Sequence, residues 1–163
     1  MATLNEQMLA QVTEVTTALQ HKPGALLPIL HGIQNRLGYI PPEAVPIIAE
    51  ALNQSRADIH GVISFYHQFR STAPGEHIIE LCRAEACQAM GSRQLEAHAR
   101  NTLGLEYHGT TVDRSLTLEP VYCLGNCACA PSVRIDDQIV GRVTPEKFDD
   151  LVDQLRSQRL ELQ

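Results

Sequence analysis

The sequence lacks an excess of basic residues. Its 163 residues include 13 Lys and Arg against 19 Asp and Glu, which gives a formal net charge of −6. A nucleic-acid-binding protein needs a basic face to neutralise phosphates, so this composition argues against that class. No apolar run approaches the roughly 18 residues that suggest a membrane-spanning helix. We therefore expect no nucleic acid partner and no direct insertion into a membrane.

The sequence also lacks a secretory signal. Residues Met1 to Glu6 contain neither the basic region nor the apolar run with which such a signal begins. We therefore expect a cytoplasmic protein in a reducing compartment. There, the five cysteines are better interpreted as ligands, reactive thiols or core residues than as disulfides.

Motifs for nucleotide binding and for hydrolysis are missing as well. The sequence contains no G-x-G-x-x-G after a strand and no P-loop, so we expect that the chain binds no nucleotide by itself. H-E-x-x-H, G-x-S-x-G and the thioredoxin-type C-x-x-C are also absent. No catalytic residue is predicted, and we expect no substrate-converting active site on this chain.

The first 72 residues predict a small helical bundle, which we take as the first domain (residues 1–72). Four amphipathic patterns are separated by short breaks. The first follows a Thr3-x-x-Glu6 capping pattern, the second ends at Gly38, the third starts near Pro42 and the fourth is capped by Ser55 or Asp58. The aromatic run at residues 64–67 is interpreted as packing on a helical face.

Residues 73–163 predict a second domain in which helices and strands follow each other in the order β-α-β-β-β-α. Strands are predicted at 77–82 and 117–123, a helix at 92–103, a hairpin over 132–143, and a final helix that opens at Thr144-Pro145-Glu146. A helix joins the first two strands, so they should be parallel. The fold class expected for the whole chain is α+β.

Four cysteines fall into two pairs, and each pair lies just after a predicted strand. Cys82-x4-Cys87 follows the first strand, and Cys123-x3-Cys127 follows the second. Because the carboxyl ends of parallel neighbours meet at one edge of a sheet, the four sulfur atoms should come together. This pattern predicts metal or cluster ligation by Cys82, Cys87, Cys123 and Cys127.

The cysteine spacing leaves more than one kind of site open. Zinc is chemically possible, because zinc sites often hold cysteines two to four residues apart. The longer C-x4-C gap suits an iron–sulfur cluster, in which each of two irons takes two thiolates. A thiol oxidoreductase that uses Cys127 and Cys129 is a third alternative. We interpret Cys129 as a spare thiol.

Three segments together resemble one known family, the thioredoxin-like [2Fe–2S] subunits of NADH dehydrogenase. The family also includes the matching subunits of NAD-reducing hydrogenases and of NAD-dependent formate dehydrogenases. The resemblance covers about residues 20 to 155. It rests on Gly61-Val62-Ile63-Ser64-Phe65-Tyr66-His67-Gln68-Phe69, on Cys82-x4-Cys87, and on Cys123-Leu124-Gly125-Asn126-Cys127-Ala128-Cys129-Ala130-Pro131.

The resemblance implies one [2Fe–2S] cluster on Cys82, Cys87, Cys123 and Cys127 in a thioredoxin-like ferredoxin domain. It implies an electron-transfer subunit whose helical bundle docks a flavin- and NAD-binding partner. Within the family, the chain looks most similar to the gamma subunits of molybdenum-containing, NAD-dependent formate dehydrogenases. In such a complex, FMN, NAD and the molybdenum cofactor lie on partner subunits, the last on an iron–sulfur-containing catalytic subunit.

Overall fold

The computed structural model describes residues 4–161 of the chain. The polypeptide forms two compact units, Met1–Ala73 and Pro74–Gln163. Within the described residues, no helix has both the length and the apolar character needed to cross a lipid bilayer.

The first unit consists of four helices, as the amphipathic patterns predict. They are α1 (Leu4–Leu19), α2 (Leu26–Leu37), α3 (Ala44–Leu52) and α4 (Arg56–Phe65). The side chains that the patterns place on one face form the core of this unit, and burial of such apolar surface is its main source of stability. The most deeply buried of them are Val12, Ile29, Leu30, Ile33, Ile48 and Ile59.

Two helix ends follow directly from local sequence. Gly38 ends α2 in the left-handed conformation, with φ of 83°, and its amide donates to the carbonyl of Gln34 at 2.7 Å. Ser55 caps α4: the Asp58 amide donates to its hydroxyl at 3.1 Å, and the Ser55 amide donates to the Asp58 carboxylate at 3.2 Å. The first capping pattern includes Thr3, which lies outside the described residues.

The aromatic run at residues 64–67 does not pack as the sequence pattern predicts. Phe65 is 72% exposed and Tyr66 is 38% exposed, and their rings contact each other edge to face with centroids 5.1 Å apart. Phe65 lies seven residues after the exposed Asp58, on the solvent face of α4, and Tyr66 follows the end of the helix, where the helical period no longer directs it towards the core. Phe69 is the aromatic residue of this region that is buried.

The second unit is built on a five-stranded sheet in the order β2-β3-β1-β4-β5. As expected, β1 and β3 are parallel neighbours, with His77 opposite Leu116 and Cys82 opposite Val121. All other neighbours are antiparallel. The strands are β1 (His77–Cys82), β2 (Gly109–Thr110), β3 (Leu116–Val121), β4 (Val133–Ile135) and β5 (Gln138–Val140).

Three helices accompany this sheet: α5 (Glu85–Ala89), α6 (Ser92–Leu103) and α7 (Pro145–Glu161). Apolar side chains of α6 and α7 share one core with the central strands. Its fully buried members include Ile79, Ala99, Leu116, Leu118, Val133, Phe148 and Val152. The order of elements differs from the predicted β-α-β-β-β-α by the one-turn helix α5 and the two-residue strand β2, which are too short to show a period.

Candidate metal centre

The ends of the two parallel strands place the two cysteine pairs. Cys82 is the last residue of β1 and lies opposite Val121, the last residue of β3. The Arg83 amide donates to the Val121 carbonyl at 2.8 Å, which continues the pairing beyond the strand. Cys123 follows only two residues later, so both chain segments enter the site from the same edge of the sheet.

Helix α5 returns the chain so that Cys87 meets Cys82. Both side chains are buried, at 2% and 3% exposure, and they form a small apolar cluster with Ala130. The two thiols lie close enough together to influence each other's pKa. The structure therefore forms the first pair inside the protein, where little water reaches it.

The second pair lies in an exposed loop between β3 and β4. Cys123 has a left-handed φ of 105°, and Gly125 follows with φ of 72°. The Gly125 amide donates to the Cys123 sulfur at 3.4 Å, and a short 3-10 helix begins at Cys127. The thiol of Cys123 lies close enough to that of Cys127 to influence its pKa, and both residues are exposed to solvent.

Backbone amides join the two pairs into one site. The amides of Cys123 and Leu124 donate to the sulfur of Cys82, together with the amide of Ala84. The amide of Ser132 donates to the sulfur of Cys87. The structure thus brings all four predicted cysteines to one edge of the sheet, among N–H donors that stabilise negative sulfur.

The pKa values of three of the thiols show how burial and the neighbouring sulfur atoms affect their ionisation. Burial is the largest influence on Cys82 and opposes ionisation, yet the surrounding hydrogen bonds hold its pKa below the ordinary value. Burial raises the pKa of Cys87, and the sulfur of Cys82 adds to the effect. The sulfur of Cys123, by hydrogen bond and by charge, raises the pKa of Cys127. Four thiolates would repel one another here unless a cation lay between them.

The donor arrangement fits a centre with two metal ions better than one with a single ion. A structural zinc needs four ligands around one point at about 2.0–2.3 Å. Two contacting pairs, Cys82 with Cys87 and Cys123 with Cys127, are what two irons with two thiolates each require.

Cys129 lies on a different side of the loop, against the segment that follows β5. Its carbonyl accepts the Arg142 amide at 2.6 Å. A Cβ atom at Gly141 would lie 2.6 Å from the Cβ of Cys129, so this approach requires glycine. Cys127 has its sulfur contact with Cys123, an arrangement that gives no support to a redox pair of Cys127 and Cys129.

Three polar residues support the loops, and the cysteine pattern did not reveal them. The Ser92 hydroxyl donates to the Cys82 carbonyl at 2.7 Å, and Ser132, which is 1% exposed, donates its hydroxyl to the Cys129 carbonyl at 3.2 Å. The Asn126 amide group donates to the Ser132 hydroxyl at 3.2 Å. The sequence does show small polar residues close to the cysteines, which could have indicated supporting roles. Their hydrogen-bond partners, however, depend on the tertiary fold.

Comparison with known proteins agrees with this geometry. Residues 12–156 match the family described as thioredoxin-like [2Fe–2S] ferredoxin. The E subunit of NADH-quinone oxidoreductase from Pseudomonas aeruginosa is 38% identical over 114 residues, 70% of this chain and 69% of that protein. The NADP-reducing hydrogenase subunit HndA of Solidesulfovibrio fructosivorans is 29% identical over 144 residues, 88% of this chain and 84% of that one.

A solved structure shares the fold. In the crystal structure of an NAD⁺-reducing [NiFe]-hydrogenase in the H₂-reduced state, one chain matches with a TM-score of 0.68 at 23% identity. The match covers 82% of this chain, which spans only 22% of the hydrogenase chain.

The family match identifies an iron–sulfur protein of thioredoxin-like architecture. The chain belongs to the thioredoxin-like [2Fe–2S] ferredoxin family, and its cofactor is one [2Fe–2S] cluster. The family resemblance, the α+β fold class and the cofactor expected from the sequence are thereby confirmed.

Proposed function

We propose that the chain is the electron-transfer subunit of an NAD-dependent formate dehydrogenase complex, with one [2Fe–2S] cluster held by Cys82, Cys87, Cys123 and Cys127. The observation that carries the proposal is the meeting of two contacting thiol pairs among amide donors at one edge of the sheet. When bound, the cluster supplies a centre that accepts and releases one electron. The chain contributes the thiolates, the amide donors and the burial of one pair, which are the influences that set a reduction potential.

The assignment to formate oxidation rests on the sequence of the cysteine loop and of the segment at residues 61–69. The reaction of the whole complex would be formate and NAD⁺ to CO₂ and NADH, with formate oxidised at a molybdenum site on another chain. This chain would pass or store electrons beside the flavin of a partner subunit in the cytoplasm. The equivalent subunits of NADH-quinone oxidoreductase and of NAD-reducing hydrogenases are the alternatives, because the relatives include a subunit of NADH-quinone oxidoreductase and a subunit of an NADP-reducing hydrogenase.

The exposed aromatic pair Phe65 and Tyr66 supports a docking role for the helical unit, residues 1–72. Large aromatic side chains at the surface are enriched in protein interfaces, and Phe65 keeps 72% of its surface open to solvent. The flavin-bearing subunit is the partner that we propose for this surface.

Chemical analysis of the chain tests the cofactor assignment. We expect about two iron atoms and two labile sulfides per chain, a red-brown colour, and a low potential like the roughly −400 mV of plant-type ferredoxins. A colourless protein with one zinc would contradict the proposal and favour a zinc-stapled interaction module. The native complex tests the reaction: formate-dependent reduction of NAD⁺ supports it, whereas activity only with hydrogen or with quinone assigns the chain to a sibling complex.

A further inference from the structure

A groove lined by three arginines runs along α6 beside the cysteine site. It consists of two adjoining depressions of about 360 and 350 Å³, which share Ala97 and Arg100 in their walls. Arg83, Gln88, Arg93 and Glu96 line one depression, and Asn101 and Glu106 line the other. We call this surface the arginine groove. It extends along Arg83, Gln88, Arg93, Ala97, Arg100 and Asn101.

The helical period of α6 creates this surface. Arg93, Ala97 and Arg100 are four and three residues apart, so they lie on the same helix face. The short side chain of Ala97 leaves room between the two guanidinium groups. Arg83, which follows β1, adds a third guanidinium next to this face, where it pairs with Glu96 of α6 at 3.0 Å.

The groove carries one positive charge that no carboxylate balances. Arg83 pairs with Glu96, and Arg100 pairs with Glu106. Arg93 donates through Nε and Nη2 to the side-chain oxygen of Gln88, at 3.1 and 2.8 Å, and forms no ion pair within residues 4–161. On a chain of net charge −6, this local excess of cation is complementary to a negatively charged partner.

The arginine groove adjoins the cysteine ligands through the chain itself. Arg83 follows Cys82 directly, and the Gln88 side chain donates to the Arg83 carbonyl at 2.6 Å. The Tyr122 hydroxyl lies 3.5 Å from Nη1 of Arg83, and Tyr122 immediately precedes Cys123. Tyr122 is 69% exposed, and tyrosine and arginine are enriched among residues that dominate binding energy at interfaces.

We propose that the arginine groove docks an acidic segment of the protein that exchanges electrons with the cluster. This inference rests on the proposed electron-transfer function, because electron exchange requires the partner to lie close to Cys82 and Cys123. Guanidinium groups bind carboxylates through paired hydrogen bonds, and Arg93 presents beside Ala97 the guanidinium that no carboxylate of residues 4–161 engages. The groove thus adds a second contact to the one proposed for the helical unit.

Charge reversal at Arg93 tests the inference in the cluster-loaded, full-length protein. The matched control is Arg156→Glu, which changes the net charge equally on the exposed part of α7. Binding to the purified flavin-bearing subunit is measured by interferometry at low and high salt. We expect Arg93→Glu to weaken binding by about tenfold or more, mainly through slower association, and to flatten the salt dependence. Arg156→Glu should change binding by less than about twofold.

Each other result overturns the inference. If both variants weaken binding equally, the effect is one of net charge and not of the groove. If Arg93→Glu leaves binding unchanged, the groove is not part of the interface. If the wild-type protein is a dimer and Arg93→Glu dissociates it, the groove binds a second copy of this chain. If inorganic phosphate binds the wild-type protein but not Arg93→Glu, the groove binds a small anion. Iron and sulfide, assayed in the same samples, report separately on the proposed function.

Discussion

The carbonyl of Ser132 accepts the amide of Cys82 at 3.1 Å, while the amide of Ser132 donates to the sulfur of Cys87. One buried residue before β4 therefore holds both members of the inner cysteine pair. The inner pair is consequently fixed by the sheet, whereas Cys123 and Cys127 belong to a loop that is supported through Asn126, Cys129 and Ser132.

Serine at a proposed ligand position should remove the cluster. We expect Cys82→Ser and Cys123→Ser to lose the visible absorbance and to lower the unfolding temperature of the second unit, because ligation and folding are coupled. Cys129→Ser serves as the matched control and should keep the spectrum, since Cys129 is not one of the four proposed ligands and packs through its Cβ and carbonyl against Gly141. Loss of the spectrum in the Cys129 variant would show that the ligand set is different.

A methyl group at Gly141 should disturb the cysteine loop. Its Cβ would lie 2.6 Å from the Cβ of Cys129 and 2.8 Å from Nδ2 of Asn126, so the loop must shift. We expect Gly141→Ala to destabilise the protein by about 1–3 kcal/mol and to lower the iron content.

The same exchange at Gly61 is the control for Gly141→Ala. A Cβ at Gly61, inside α4, meets nothing within 4 Å, so Gly61→Ala should stabilise the helical unit by about 0.5–1 kcal/mol. Denaturant unfolding and iron analysis measure both variants. A Gly141→Ala protein with wild-type stability and full iron would contradict the close packing.

Removal of the α4 cap should destabilise the helical unit alone. Ser55→Ala loses the acceptor for the Asp58 amide, and we expect a loss of about 1 kcal/mol in the free energy of unfolding. Ser64→Ala is the control, because its exposed hydroxyl donates to the Gly61 carbonyl and caps no helix start. Far-ultraviolet circular dichroism follows unfolding, and the visible spectrum should not change in either variant.

The same cap should make stability depend on acid. Hydrogen bonds from the Ser55 hydroxyl and amide hold the pKa of Asp58 below its ordinary value. The ionised Asp58 carboxylate therefore contributes fully to the stability of the fold above the ordinary aspartate pKa. This contribution is lost as the pH falls through the lowered pKa of Asp58. We expect Asp58→Asn to reduce the difference in stability between pH 7 and about pH 3, as measured in urea. An undiminished difference would mean that other carboxylates account for the acid sensitivity.

Loss of the exposed ring of Phe65 should weaken assembly of the complex. We expect Phe65→Ser to reduce recovery of the flavin-bearing subunit with this chain several-fold without loss of iron, because its ring is 72% exposed and has little structural role. Val112→Ser is the control, since Val112 is a fully exposed apolar residue elsewhere on the surface. Equal recovery of the partner with both variants would argue against docking through Phe65.

Local signals made much of the fold predictable. Four amphipathic helices, the Gly38 and Ser55 ends and the β4–β5 hairpin follow from residues close in sequence. The parallel pairing of β1 with β3 follows from the helix that connects them. The two-residue strand β2 and the one-turn helix α5 depend instead on partners distant in sequence. The exposure of Tyr66 was not predictable, because it depends on where α4 ends.

The site divides in the same way. The spacing of the four cysteines after two strands predicts that they meet, and the structure brings them together. Sequence spacing alone could not decide between zinc and two irons, since that choice depends on which sulfur atoms contact each other. The supporting roles of Ser132 and Gly141 likewise arise only when the segments on either side of the β4–β5 hairpin pack against the cysteine loop.

With the ligand set proposed above, the parallel pairing of β1 and β3 would also determine when the protein can bind iron. A newly made chain presents Cys82 with Cys87 and Cys123 with Cys127 as two separate bidentate chelators, joined only by a long flexible span. Closing that span costs conformational entropy, so a tetradentate site exists only after the sheet has formed. Maturation should therefore follow folding, and an unfolded chain should retain metal only weakly.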